Sequence, residues 1–259
     1  EEVLCLSPAN SAGSVAVEVS TNGVDFSEDM VQYRYFASPA ISHAVPSSGP
    51  TEGGTVVSVY GRNFVDSDTL FCRFGNSTKV PGRWISGDRV ECTSPALQPG
   101  TVSISLTNND QDYTLTSAAF VILPHSSVSK VDPPFGPVGT PTAVTVTGTG
   151  FVFSRSLYCR FGLTAVAAMY MNETSVVCTA PDLMAGSVRV SVSSNGVDYS
   201  TTNVSYEFVD AHHVRGIVPR SGSVTGGTEI ALHGTGFKNT SSLFCRFGSL
   251  APVMGMFVS

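Results

Sequence analysis

Apolar and polar residues alternate one for one along much of the chain, in short runs broken by Gly, Pro and Asn. Val15-Ala16-Val17-Glu18-Val19, Val56-Val57-Ser58-Val59-Tyr60, Thr101-Val102-Ser103-Ile104-Ser105-Leu106 and Val144-Thr145-Val146 show the period of two that sends side chains to opposite faces of a strand. No window sustains a helical period, so no helix is expected. Asn22-Gly23, Asn108-Asn109-Asp110 and Asn195-Gly196 fall between such runs, where Asn and Gly supply hairpin turns. The pattern predicts an all-β chain of short strands.

The runs also repeat. Leu70-Phe71-Cys72-Arg73-Phe74-Gly75 returns as Leu157-Tyr158-Cys159-Arg160-Phe161-Gly162 and as Leu243-Phe244-Cys245-Arg246-Phe247-Gly248, with the cysteines 87 and 86 residues apart. That period is too long for a solenoid and suits a string of small domains. A second cysteine follows in Val90-Glu91-Cys92-Thr93-Ser94-Pro95 and Val176-Val177-Cys178-Thr179-Ala180-Pro181, and Val3-Leu4-Cys5-Leu6-Ser7-Pro8 matches both. The order of these segments predicts complete domains over 41–123 and 128–209, the C-terminal half of a domain over 1–37 and the N-terminal half of one over 214–259. If Glu1 of another copy followed Ser259 directly, Cys245 would stand 19 residues before Cys5, the interval that separates Cys159 from Cys178. The expectation is a three-domain repeating unit joined end to end through Ser259 and Glu1, with 214–259 completed by 1–37 of the next copy.

The six cysteines narrow the compartment. Cys72/Cys92 and Cys159/Cys178 lie in alternating strands without zinc-type spacing, which favours one disulfide per domain: Cys72 with Cys92, Cys159 with Cys178, and Cys245 with Cys5 of the next copy. Asn76-Ser77-Thr78, Asn172-Glu173-Thr174, Asn203-Val204-Ser205 and Asn239-Thr240-Ser241 are acceptors for N-linked glycans. Disulfides and sequons together imply an extracellular or cell-surface location. A net charge of −6, with scattered Lys and Arg, lacks the basic footprint of a nucleic-acid binder. No apolar run approaches the roughly 20 residues of a membrane helix, so no membrane span is expected in this segment.

The series Pro-x-x-Gly, Gly-Gly-Thr, valine strand, Gly-x-x-Phe, Cys-x-Phe-Gly and Cys-x-x-Pro, which covers nearly the whole chain, resembles the IPT/TIG domain. Domain 128–209 departs from it with Pro137-Val138-Gly139-Thr140 in place of Gly-Gly-Thr. The resemblance implies tandem immunoglobulin-like β-sandwiches, arranged as beads on a string. Such domains occur in tandem in ectodomains of plexin-like and Met-like receptors and in large surface proteins, and singly in some transcription factors and starch-acting enzymes. It fixes the fold better than the function.

Candidate chemistry is sparse. Gly148-Thr149-Gly150-Phe151 ends a strand without opening a helix, so it reads as a turn and not as a phosphate loop. His43, His125, His212 and His213 fall in expected interdomain connections and read as solvated hinge residues before metal ligands. Asp25, Asp112 and Asp198 recur after the hairpin tips, where they satisfy turn backbone in preference to binding calcium. Trp84, Tyr170 and Met256 occupy one repeated position and read as packing or rim contacts. No catalytic, cofactor or metal residues are expected, and the chain does not read as an enzyme. The expected function is structural, the unit of a glycosylated filament whose partners are further copies of itself. The alternative is a ligand-binding or adhesive segment of a receptor ectodomain, which predicts one domain with an exposed aromatic patch or a long loop unlike its siblings; the sequence reveals neither. A carbohydrate-binding accessory role would need a catalytic neighbour outside this segment.

Overall fold

Every regular element is a strand in the computed structural model, which describes residues 1–259. The chain divides into two units, Glu1–His125 and Ser126–Ser259. In the first unit, β1 (Gly13–Val17) and β2 (Val31–Tyr35) form an antiparallel pair of their own, with Val15 opposite Tyr33.

A complete sandwich follows, from β3 (Ala40–Val45), β4 (Ser48–Pro50), β5 (Val56–Arg62), β6 (Phe71–Phe74), β7 (Thr78–Ser86), β8 (Arg89–Thr93), β9 (Gly100–Thr107) and β10 (Ala118–Leu123). β7 changes sheets along its length. Its first part, Thr78 to Pro81, pairs with β6, and its second, from Gly82, pairs with β8. One layer is therefore β3, β5, β8 and late β7, and the other is early β7, β6, β9, β10 and β4. The opening strand is split likewise: β3 pairs with β5, while β4 runs parallel to β10 with Ser48 opposite Val121.

Between the layers lie Val57, Val59, Phe74, Val90, Ile104, Leu106 and Phe120, all buried. They are the inward members of the alternating runs, each worth about 1.5–3 kcal/mol when fully buried. Phe74 and Phe120 meet edge to face, with centroids 5.5 Å apart. The Gly-x-x-Phe series also has a steric reason. A Cβ on Gly61 would collide with the Ala40 carbonyl oxygen and the Phe64 ring, so only Gly admits the close approach of β3 at the end of its antiparallel partner β5.

The second unit repeats this design in β11 (Ser127–Asp132), β12 (Phe135–Pro137), β13 (Ala143–Thr149), β14 (Tyr158–Phe161), β15 (Thr164–Asn172), β16 (Ser175–Thr179), β17 (Gly186–Ser193) and β18 (Ser205–Val209). β15 crosses between layers after Ala167, and β12 pairs in parallel with β18. Phe161, Tyr206 and Phe208 fill its core. Beyond it, β19 (His213–Val218) pairs with β20 (Ala231–Thr235), and β21 (Phe244–Cys245) pairs with β22 (Val253–Met254).

The outlying strand pairs keep their apolar residues in the open. Val17 and Val19 are about half exposed, at 50% and 52%, whereas their counterparts Ile104 and Leu106 are fully buried. Phe247 is 44% exposed, whereas Phe74 and Phe161 are buried.

Candidate functional site

Cys72 on β6 and Cys92 on β8 belong to different layers, and the disulfide between them crosses the core with Cα atoms 6.3 Å apart. Cys159 on β14 and Cys178 on β16 are bonded in the same way, also at 6.3 Å. Cys5 is exposed and Cys245 half-buried, and each is a free thiol. Two core disulfides belong to an oxidising setting, outside the cell or at its surface.

A second repeated device closes the hairpin tips. In each, an Asn side-chain oxygen accepts from the backbone N–H two and three residues on, and its amide donates to the Asp carboxylate three residues on. The Asn-to-Asp distances are 2.7 Å for Asn22 and Asp25, 2.8 Å for Asn109 and Asp112, and 2.6 Å for Asn195 and Asp198. These are Asx turns with an added side-chain clamp, so the three aspartates serve the turns themselves. The aromatic residue that follows receives the Arg of the Cys-Arg-Phe-Gly series. The Arg73 guanidinium lies 3.7 Å from the Tyr113 ring centre, and Arg160 lies 4.0 Å from that of Tyr199. Burial raises the Tyr199 hydroxyl above its ordinary value, and Arg160 opposes the rise.

The repeated segments match the sequence model of one known family three times along the chain. The sequence model of the IPT/TIG domain covers residues 39–122, 126–208 and 213–256. The chain belongs to the IPT/TIG domain family. It is 27% identical to human fibrocystin-L over 248 residues, covering 92% of this chain and 6% of that protein. It is 23% identical to rat plexin-A3 over 214 residues, covering 76% of this chain and 11% of that one. The chain therefore spans only a small part of the curated relatives it matches. Among solved structures, the plexin A4 full extracellular region aligns with a TM-score of 0.46 and 20% identity, over 76% of this chain and 18% of that chain.

Within the two complete IPT/TIG domains the interiors repeat and the outer faces do not. The β3–β5–β8–β7 face of the first domain is charged. His43 stacks on Tyr60 with centroids 4.7 Å apart, Arg89 bonds Glu91 at 2.6 Å, and Arg83 also pairs with Glu91. Arg83 before Arg89 holds the Glu91 carboxyl below its ordinary value, against a smaller opposing effect of burial. The matching face of the second IPT/TIG domain puts Met169 in the place of Arg83 and Val177 in that of Glu91, and Met169 is 59% exposed.

The second domain carries an exposed aromatic pair that the sequence does not reveal, and Trp84 of the first domain is itself 38% exposed. Phe153 is 76% exposed and meets Tyr170 edge to face at 6.0 Å. Phe153 lies beyond the end of β13, in the loop that leads to β14. The first domain has Asp66 in its place. At the position of Tyr170, Trp84 instead donates its indole N–H to the Phe64 carbonyl at 3.2 Å, and Met256 is exposed.

The histidines need a correction. His43 lies inside β3 and His213 opens β19, so neither belongs to a connection; both strands begin earlier than their Val-rich centres suggest. His125 lies 2.6 Å from Glu52, whose carboxyl is held low first by its own backbone N–H, with His125 contributing. No three His, Cys, Asp or Glu side chains converge as a metal site. Gly148-Thr149 end β13, and Gly150 and Phe151 continue as the turn. Asn76, Asn172, Asn203 and Asn239 are all exposed: Asn76 at a hairpin tip, Asn172 at the end of β15, Asn203 just before β18 and Asn239 beyond β20.

Proposed function

We propose that the chain is a non-catalytic, glycosylated segment of a cell-surface receptor-type ectodomain, in which complete IPT/TIG domains 41–123 and 128–209 act as disulfide-stapled spacers that carry different outer faces. The observation that carries this reading is the contrast between repeated interiors and divergent surfaces, charged at Arg83, Arg89 and Glu91 and apolar at Met169 and Val177. The same chemistry repeated throughout would suit a lattice; divergent faces suit recognition. Support also comes from similarity to fibrocystin-L and the plexins. The proposed glycan carriers are Asn76, Asn172, Asn203 and Asn239.

A second reading, end-to-end assembly of copies, has one specific observation in its favour. Superposing the repeat sets Arg246, the residue after β21, opposite Glu18, where the complete domains pair Arg73 with Ser105 and Arg160 with Ser191. It also brings Phe26 to the place of Tyr113 and Tyr199. A 214–259 half completed by 1–37 of another copy would thus gain an ion pair and the half-exposed Val17, Val19 and Phe247 as core, with Cys245 bonded to Cys5.

Secretion of the 259-residue chain from a glycosylating cell line tests both readings. The ectodomain reading expects a secreted, glycosylated species with Cys72–Cys92 and Cys159–Cys178 oxidised, sedimenting as a monomer. Intracellular retention with reduced cysteines overturns it. Multimers linked by Cys5–Cys245, mapped by non-reducing peptide mass spectrometry, would establish the assembly reading instead.

A further inference from the structure

Of the four sequon asparagines only Asn172 stands in a strand ladder, so only its side is fixed by register; Asn76, Asn203 and Asn239 lie on turns and loops. The β15–β16 ladder pairs Met169 with Val177, Tyr170 with Val176 and Asn172 with Ser175, and it shifts register between Tyr170 and Asn172. Val176 and Cys178 are core residues, 0% and 1% exposed, so Ser175 and Val177 face outward, and Asn172 and Met169 face outward with them. The bulge at Met171 thus turns the acceptor onto the face of Met169, about 7 Å away along the ladder, where a regular strand would set it on the inward side with Tyr170. Thr145 and Thr147 of β13 border this patch opposite Val177 and Ser175. The Asn172 side-chain oxygen accepts from the backbone N–H and the hydroxyl of Thr174, each at 2.9 Å, and its amide nitrogen makes no hydrogen bond. From Ala168 onward β15 has β16 on one side and no strand on the other, and its nine residues include no charge and no proline. The corresponding strand of the first sandwich, β7, carries Lys79, Pro81 and Arg83, residue types that discourage strand addition at an open edge.

We propose that Asn172 is N-glycosylated and that the innermost N-acetylglucosamine of its glycan lies over Met169 and Val177, covering the apolar outer face of the second sandwich and guarding the open β15 edge. Transfer forms a bond between Nδ2 of Asn172 and C1 of that sugar. One Nδ2 proton leaves, the bond from C1 to the donor's phosphate oxygen breaks, and the lipid diphosphate of the donor oligosaccharide departs. The C–H face of a pyranose and its acetyl methyl are apolar, and they remove the Met169 thioether and the Val177 methyls from water while the sugar hydroxyls stay solvated. Bulk at the end of an uncharged edge strand also keeps a foreign strand from pairing there. The first sandwich has the same bulge, between Trp84 and Ser86, but Ser86 in the place of Asn172 offers no acceptor. Its face needs no cover, since Arg83, Arg89 and Glu91 are charged and pair with one another. Of the two outer faces, the one left open to a partner is therefore the charged one.

This inference rests on the glycosylated reading above, and the experiment separates the two. The full chain is secreted from glycosylating cells as wild type, Asn172→Gln and Thr174→Ala, two exposed substitutions that each remove the sequon. Part of the wild type is trimmed by an endoglycosidase that leaves one N-acetylglucosamine. Peptide mass spectrometry reads occupancy at all four sequons and, after brief exposure to dilute hydrogen peroxide, oxidation of each methionine. Met169 is 59% exposed, and Met184, 88% exposed beyond the far end of β16, serves as the reference within the same molecule. Relative to Met184, Met169 is expected to oxidise roughly two- to five-fold faster in both variants than in glycosylated wild type. The protection persists with the single sugar, and nuclear Overhauser contacts join its acetyl methyl to the Met169 methyl. No glycan at any of the four sites overturns the proposal together with the glycosylated reading. Glycan at other sites with Asn172 unmodified overturns the proposal alone. So does an occupied Asn172 with Met169 oxidising as in the variants, a protection that vanishes on trimming, or a rise confined to one variant, which would report a local change in the turn.

Discussion

Replacing Tyr206 with Phe removes one oxygen from the core of the second sandwich. Tyr206 is 0% exposed, and its hydroxyl makes no hydrogen bond of good geometry, its contact with the nearby Thr142 hydroxyl over Gly136 being a weak one. The first sandwich has Phe120 at the same place, also 0% exposed. An unpaired buried hydroxyl costs about 1–3 kcal/mol, and the hole left by one oxygen costs less than about 1 kcal/mol. Tyr206→Phe is therefore expected to stabilise the second sandwich by about 1 kcal/mol, raising its unfolding midpoint by roughly 4–8 °C. Hydrogen exchange in β17 and β18 follows that domain, and fluorescence of Trp84, the chain's one tryptophan, reports the first domain as an internal control. Burial raises the hydroxyl above its ordinary value of 10.0, with Thr142 opposing. The unfolded chain accordingly ionises first as pH rises through that value, and wild type loses stability there that Tyr206→Phe retains. A loss of 1 kcal/mol or more in the variant at neutral pH refutes the reasoning, because it means the hydroxyl is well paired in the folded state.

Three further outcomes follow from the geometry. Replacing Cys72 and Cys92 together with Ser reopens a 20-residue loop in the unfolded chain and lowers the stability of the first sandwich by about 3 kcal/mol, measured by urea unfolding at Trp84. Glu91 is held below its unfolded value of about 4.5, so its contribution is full above that pH and is lost as pH falls through the lower folded value. With partners exposed to 72% and 38%, that contribution is about 0.5–1 kcal/mol, and the stability gap between wild type and Glu91→Gln should close in acid. Asn109→Ala removes two backbone contacts and the clamp to Asp112, lowering stability by about 1–2 kcal/mol, whereas Gln111→Ala, at an exposed neighbour, has little effect in the same urea titration.

Much of the sandwich is legible in one-dimensional pattern because its inward residues alternate strictly. The Val57/Val59 and Ile104/Leu106 pairs can be assigned to a core without coordinates, and the cysteine spacing marks which strands carry the staple. The sheet change in β7 is not legible, since Thr78 to Ser86 keeps one alternation while its hydrogen-bond partner switches from β6 to β8. Nor is the exposed Phe153: hydrophobicity reports what a residue prefers, whereas its exposure depends on where β13 stops. The turn clamp was half visible, as a recurring Asp whose partner, the Asn three residues earlier, becomes plain only with the amide-to-carboxylate distance. The arginine of Cys-Arg-Phe-Gly gave no hint of its aromatic partner, which lies some forty residues further along the chain.

The parallel pairing of β4 with β10 has a mechanical consequence. A pull applied through the chain on either side of the first sandwich drags these two strands along their length in opposite directions. The bonds between Ser48–Pro50 and Val121–Leu123 are then loaded in shear, together and not one after another. Once they yield, the Cys72–Cys92 bridge keeps its 20-residue loop closed to tension, withholding about 70 Å of extended chain from the force. Each domain would lengthen under load by a limited step and remain tied through its centre.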